Sequence, residues 1–107
     1  MMNLIDDLIK DGYLKSNRII DAFIKIDRIN FVSQELELEA YENVALPIGY
    51  GQTISQPLTV AFMLELLDPR TGQKILDVGS GSGWTTALLA EIVGDKGRVI
   101  ALEKIRE

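Results

Sequence analysis

The chain has 107 residues, the length of one domain, and 47% of them are hydrophobic, enough for a buried core. A net charge of −5, with no basic cluster interleaved with aromatics, disfavours nucleic-acid binding through phosphate neutralisation. With no cysteine and no histidine, disulfides, thiolate chemistry, zinc sites and histidine general bases are excluded.

The N-terminus, Met1-Met2-Asn3-Leu4-Ile5-Asp6-Asp7, is acidic and lacks a basic region or a long apolar stretch. Neither a secretory signal nor a membrane span is expected there, and the expected location is cytoplasmic. Leu4, Ile5, Leu8 and Ile9 share one helical face, and Gly12 is placed to end that helix. A second helix fits Asn17 to Ile26, capped by Ser16 or Asn17, with Ile19, Ile20, Phe23, Ile24 and Ile26 on its apolar side. Residues 30–43 are less regular. Leu36 and Leu38 alternate with Glu35, Glu37 and Glu39, a pattern open to a short strand or an acidic helical turn.

Residues 44–56 carry β-favouring residues broken by Pro47, Gly49 and Gly51, which predicts irregular extended chain with tight turns. Pro57 suits a first helical position. A helix to Leu67 places Val60, Met63, Leu64 and Leu67 on one side, and Asp68-Pro69 stops it. A strand at 74–78 then runs into glycines at 79, 81 and 83, followed by a helix at 84–93 closed by Gly94. Asp95-Lys96-Gly97 turns into a second strand at 98–102. Strand, helix and strand of these lengths predict a right-handed βαβ unit with parallel strands.

Ligands on such sheets bind at the carboxyl ends of the strands, where the glycine loop and Glu103 both lie. Glycines let the backbone turn tightly and approach a ligand, and a helix start offers free N–H donors. Glu103 suits hydrogen bonds to ribose hydroxyls, so the pattern points to a nucleoside-containing cofactor. A dinucleotide fingerprint would need its third glycine where Trp84 stands, and no Gly-Lys-Ser/Thr of a P-loop follows. Asp77, two residues before Gly79, would repel a pyrophosphate and attract a cationic sulfonium or amino group. A bare strand-to-helix turn is the simpler alternative, but it needs one such glycine rather than three.

The segment Gly49-Tyr50-Gly51-Gln52-Thr53-Ile54-Ser55-Gln56-Pro57 offers four polar side chains just before a helix start. That place suits a carboxylate held by hydroxyls and first-turn N–H groups. The same residues also fit a plainer arrangement, with Ser55 as the helix cap and Thr53 as an ordinary strand residue. The pattern alone leaves both open.

Two motifs carry a family resemblance. Ile75-Leu76-Asp77-Val78-Gly79-Ser80-Gly81-Ser82-Gly83 resembles the first motif of class I S-adenosylmethionine-dependent methyltransferases. Ala40 to Pro57, continuing through Val60 to Leu67, resembles the substrate-site signature of the protein-L-isoaspartate O-methyltransferases. The resemblance implies S-adenosylmethionine as cofactor, held by Asp77, Gly79, Ser80, Gly81, Gly83 and Glu103. It implies Gln52, Thr53, Ile54 and Ser55 along the substrate pocket, with Ser55 at the active site. The activity implied is methyl transfer to the α-carboxylate of L-isoaspartyl residues in damaged proteins, a repair reaction.

The same resemblance implies further strands and helices after Glu103, whereas the sequence stops at Ile105-Arg106-Glu107. Asn43 stands where the family usually has aspartate, and Ser33 where proline is common. The expected fold is therefore α/β, with N-terminal helices plus the first βαβ unit of a Rossmann-like methyltransferase sheet, truncated. Residues 1–43 form the N-terminal helical segment, and 44–107 the substrate loop and cofactor-binding unit of one compact domain. Turnover by the chain alone is expected to be slow or absent. Association of copies through exposed strand edges is a further expectation. Another S-adenosylmethionine-dependent methyltransferase, or a non-catalytic cofactor-binding or oligomerising module of the same ancestry, is the alternative.

Overall fold

A computed structural model of the chain describes residues 1–49 and 51–103. Tyr50 of the polar loop and the terminal Ile105-Arg106-Glu107 lie outside the described residues. Helix α1 spans Met2–Lys10 and buries Leu4, Ile5 and Leu8. Ile9, expected on the same face, is 40% exposed, because the buried stripe is too narrow to include it. Gly12 takes a left-handed φ of +83°, turning the chain out of the helix toward buried Leu14.

Helix α2 spans Asn17–Lys25 and buries Ile19, Ala22 and Phe23, while Ile24 points to solvent. Ser16 occupies the N-cap position with extended backbone, but its side chain makes no cap bond to α2. Its hydroxyl instead donates to Glu65 Oε1 at 2.7 Å, and Glu65 Oε2 accepts the N–H groups of Lys15 and Ser16. A carboxylate from a distant helix thus anchors the residues just before α2 and engages the hydroxyl expected to cap it.

Residues 28–39 form two 3-10 turns, Arg28–Phe31 and Gln34–Glu39, so the acidic stretch is helical rather than a strand. Asp27 caps the first turn by accepting from the N–H of Ile29, and it also accepts from the Tyr41 hydroxyl. Where irregular extended chain was expected, β1 (Leu46–Gly49) and β2 (Gln52–Ile54) pair as an antiparallel hairpin. Leu46 and Ile54 are buried opposite each other, and the register shifts between Pro47 and Gly49. Two side chains buried on one face supply the anchoring that the broken β pattern did not reveal.

Helix α3 spans Pro57–Leu67 and buries Val60, Ala61 and Leu64. Asp68 ends it with a left-handed φ of +52°. Strand β3 (Lys74–Val78), helix α4 (Trp84–Val93) and strand β4 (Arg98–Leu102) occupy the expected ranges, with β3 and β4 parallel in register from Lys74↔Arg98 to Val78↔Leu102.

Helix α4 packs on one face of this sheet and α2 packs on α4, so residues before and after position 43 share one core. Phe23 meets the Trp84 ring edge-on, with centroids 5.5 Å apart. The opposite face of the sheet carries Leu76, Val78, Ile100 and Leu102, each about half exposed or more. Parallel strands are ordinarily covered on both faces. Among the described residues no helix is long and apolar enough to cross a membrane.

Candidate functional site

The glycine loop is built where β3 hands over to α4. Gly79, Gly81 and Gly83 have φ values of +72°, +55° and +89°, so every second residue is left-handed. Side chains rarely tolerate that conformation, which explains why glycine recurs at alternate positions. The N–H groups of Gly79 and Ser80 donate to the Leu102 carbonyl, tying the loop to the end of β4. Gly83 is the N-cap of α4, and Ser82 Oγ accepts from the N–H of Trp84.

Two carboxylates frame this loop. Glu103, the first residue after β4, accepts from the backbone N–H of Gly81 at 2.5 Å. Asp77, in β3, accepts from the Thr86 hydroxyl of α4, also at 2.5 Å. The Thr86 contact spans strand and helix and fixes which way the Asp77 carboxylate turns.

The hairpin supplies the other wall. Ile48 Cδ1 lies 3.7 Å from where a Gly81 side chain would begin, so the hairpin touches the glycine loop. Between them is a cavity of about 400 Å³. Gln52, Thr53, Ile54 and Ser55 line one side of it, and Asp77, Gly79, Ser80 and Gly81 the other. Met63, Leu64, Leu67 and Ile75 add an apolar surface. Met63 and Leu67, expected on one side of α3 with Val60 and Leu64, are exposed because they lie at this opening. Gly83 and Glu103 do not line the cavity.

Ser55 does not cap α3. The N-cap is Gln56, whose side chain makes no cap bond and instead donates to the Asn43 carbonyl. Asn43 Oδ1 instead accepts the first-turn N–H of Leu58 at 2.9 Å. One donor expected to be free for a carboxylate is therefore occupied by Asn43, and the exposed Ser55 hydroxyl is not committed to the helix. Thr53 is a strand residue of β2, as the plainer arrangement holds.

Sequence reasoning missed Arg28. This residue is fully buried; its Nη1 donates to the Ser55 carbonyl at 2.7 Å and its Nη2 to the Val44 carbonyl at 2.8 Å. Its guanidinium lies over the Trp84 ring, 4.8 Å from the centroid. Burial lowers its pKa to about 10, so it stays charged at neutral pH. The available signal was faint: one cation between the apolar positions Ile26, Ile29 and Phe31.

The family model for protein-L-isoaspartate(D-aspartate) O-methyltransferase matches residues 1–107. The chain belongs to the protein-L-isoaspartate O-methyltransferase family. It is 51% identical over 104 residues to the protein-L-isoaspartate O-methyltransferase of Methanopyrus kandleri, covering 97% of this chain and 46% of that one. With the Aeropyrum pernix enzyme it shares 48% identity over 106 residues, covering 99% of this chain and 41% of the relative. Among solved structures, a Plasmodium falciparum protein described as a protein-L-isoaspartate O-methyltransferase, crystallised with S-adenosyl-L-homocysteine, superposes with a TM-score of 0.86 at 26% identity. That match covers 97% of this chain and 49% of the other. A second protein-L-isoaspartate O-methyltransferase structure gives a TM-score of 0.86 at 32% identity, covering 98% of this chain and 34% of that one. The chain thus spans about half the length of the curated relatives it matches. The glycine loop, the hairpin and the expected α/β fold all fall inside the portion shared with this methyltransferase family.

Proposed function

We propose that this chain carries the cofactor loop and substrate hairpin of a protein-L-isoaspartate O-methyltransferase, acting with S-adenosylmethionine on isoaspartyl residues of damaged proteins. The observation that carries the reading is the one cavity shared by Gln52–Ser55 and by Asp77 and Gly79–Ser82. Two motifs separated by about twenty residues of sequence meet across one space of the size small ligands need.

The residues present fit that cofactor. Nothing lies within 4 Å of where a Gly79 side chain would begin, so a ligand can approach the backbone closely there. Asp77 brings a carboxylate to the cavity wall, suited to a cationic amino or sulfonium group. Gly79, Ser80, Gly81 and Gly83 would form the cradle, and Glu103, beside Gly81, would take the ribose hydroxyls. When bound, S-adenosylmethionine supplies an electrophilic methyl group.

The remaining chemistry asks for orientation rather than proton transfer. An isoaspartyl α-carboxylate is ionised at neutral pH and is already a nucleophile, so the absence of histidine is no obstacle. Ser55 would donate its hydroxyl hydrogen to that carboxylate and position it. Gln52, Thr53 and Ile54 would flank the substrate chain. The apolar surface of Met63, Leu64 and Leu67 would exclude water and sharpen electrostatic contacts.

A cytoplasmic location and the absence of nucleic-acid and membrane partners belong to the same reading, supported by the acidic composition. We assign residues 1–43 as helical cover and 44–107 as the functional unit. Open edges of the two-stranded sheet, beside exposed Val78 and Leu102, support association of copies, which sedimentation would detect.

The test is binding of one peptide in its isoaspartyl and aspartyl forms to the chain saturated with S-adenosylhomocysteine. The isoaspartyl form should bind at least tenfold more tightly. Equal affinities would overturn the assignment of substrate.

A further inference from the structure

Arg28 sits outside the cavity, yet its contacts bracket it. Val44 lies just before β1 and Ser55 just after β2, so one guanidinium holds both feet of the hairpin. The same group lies over Trp84, the first residue of α4, directly behind Gly83. Among the described residues no carboxylate forms an ion pair with it. A buried cation without a counter-ion is a poor device for stability, and apolar residues of similar volume often serve as well or better. A planar fork that binds two carbonyls and stacks on an indole supplies geometry instead.

We propose that Arg28 is a positioning residue that holds the hairpin in register with the glycine loop, keeping Ser55 in place across the cavity from Asp77 and Gly81. The proposal rests on the function proposed above for the roles of the two loops. Lysine cannot substitute, because a single ammonium cannot hold both carbonyls in the fixed geometry of the fork while stacking on the ring. Cofactor bound at the glycine loop is then felt at the hairpin through Trp84 and Arg28.

The test is amide hydrogen exchange on the whole chain, as Arg28, Arg28→Lys and Arg28→Met, with and without S-adenosylhomocysteine. Without ligand, both variants should exchange the amides of β1 and β2 at least tenfold faster, with those of α1 and α2 within threefold of the parent. Unchanged hairpin exchange, or equal acceleration in hairpin and helices, would overturn the proposal. Should the substituted chains fail to fold, the parent decides: bound S-adenosylhomocysteine must slow hairpin exchange, and binding without that protection overturns the role of Arg28. Failure of the parent to bind the cofactor product counts against the proposed function, and ligand-free exchange still decides on Arg28.

Discussion

Gly81 donates its backbone N–H to the Glu103 carboxylate at 2.5 Å, joining the loop after β3 to the residue after β4. The contact holds an acid at the carboxyl end of the sheet, beside the left-handed glycines, before any ligand arrives. Ile48 of the hairpin and Glu103 both lie within about 4 Å of where a Gly81 side chain would begin.

Glu103→Ala should weaken S-adenosylhomocysteine binding by about 10- to 100-fold, the value of a hydrogen bond to a charged group. Calorimetry reads the affinity, and circular dichroism should report unchanged helix content. Unaltered affinity would remove Glu103 from the site.

Thr86→Val deletes the hydroxyl that donates to Asp77 while keeping the shape of the side chain. The change should cost about 1 kcal/mol of stability in urea unfolding. With Asp77 released from its orientation, affinity for S-adenosylhomocysteine should fall severalfold. A loss of stability with full affinity would restrict Thr86 to a structural role.

Glu65 gives the fold an acid-sensitive joint. Burial opposes its ionisation, but donors from Ser16 and Lys15 outweigh that and hold its pKa below the ordinary 4.5. The unfolded chain therefore binds this proton more readily, and stability rises with pH across the acid range. The contribution is complete above about pH 4.5 and is lost as pH falls through the lower folded value. Glu65→Gln should cost about 1–2 kcal/mol at pH 7 and flatten the acid limb of the stability profile. An acid limb unchanged by the substitution would refute the linkage.

Gly97 is needed for space rather than for conformation. A side chain there would begin 2.4 Å from Val93 Cβ and 2.8 Å from the Gln73 carbonyl oxygen. Gly97→Ala should destabilise the fold by about 1–3 kcal/mol through overpacking between α4 and the sheet. Urea midpoints measure the effect, and a neutral substitution would mean that this turn relaxes freely.

The elements that were legible in the sequence are those whose causes are local. Strand 74–78, the alternate glycines and helix 84–93 follow one another along the chain, and each announces the next. Arg28 was illegible because its partners are backbone carbonyls 16 and 27 residues away, which carry no residue signature. Ser16 presented itself as a cap, yet its hydroxyl is engaged by Glu65, 49 residues on. The hairpin was hidden by Pro47, Gly49 and Gly51, which break the β pattern although Leu46 and Ile54 anchor the pair. Leu76, Val78, Ile100 and Leu102 show the opposite problem. Apolar strands of a parallel sheet look covered on both faces, and only the structure reveals one face exposed.

The central claim is that glycine loop and hairpin already form a cofactor site in this chain. The most direct test is titration with S-adenosylhomocysteine, followed by calorimetry and by emission of Trp84, the sole tryptophan. Trp84 directly follows Gly83 and lies under Arg28, so it should report on both loops. The account predicts saturable binding near one molecule per chain, with a matching change in emission. A folded chain that binds none would contradict it.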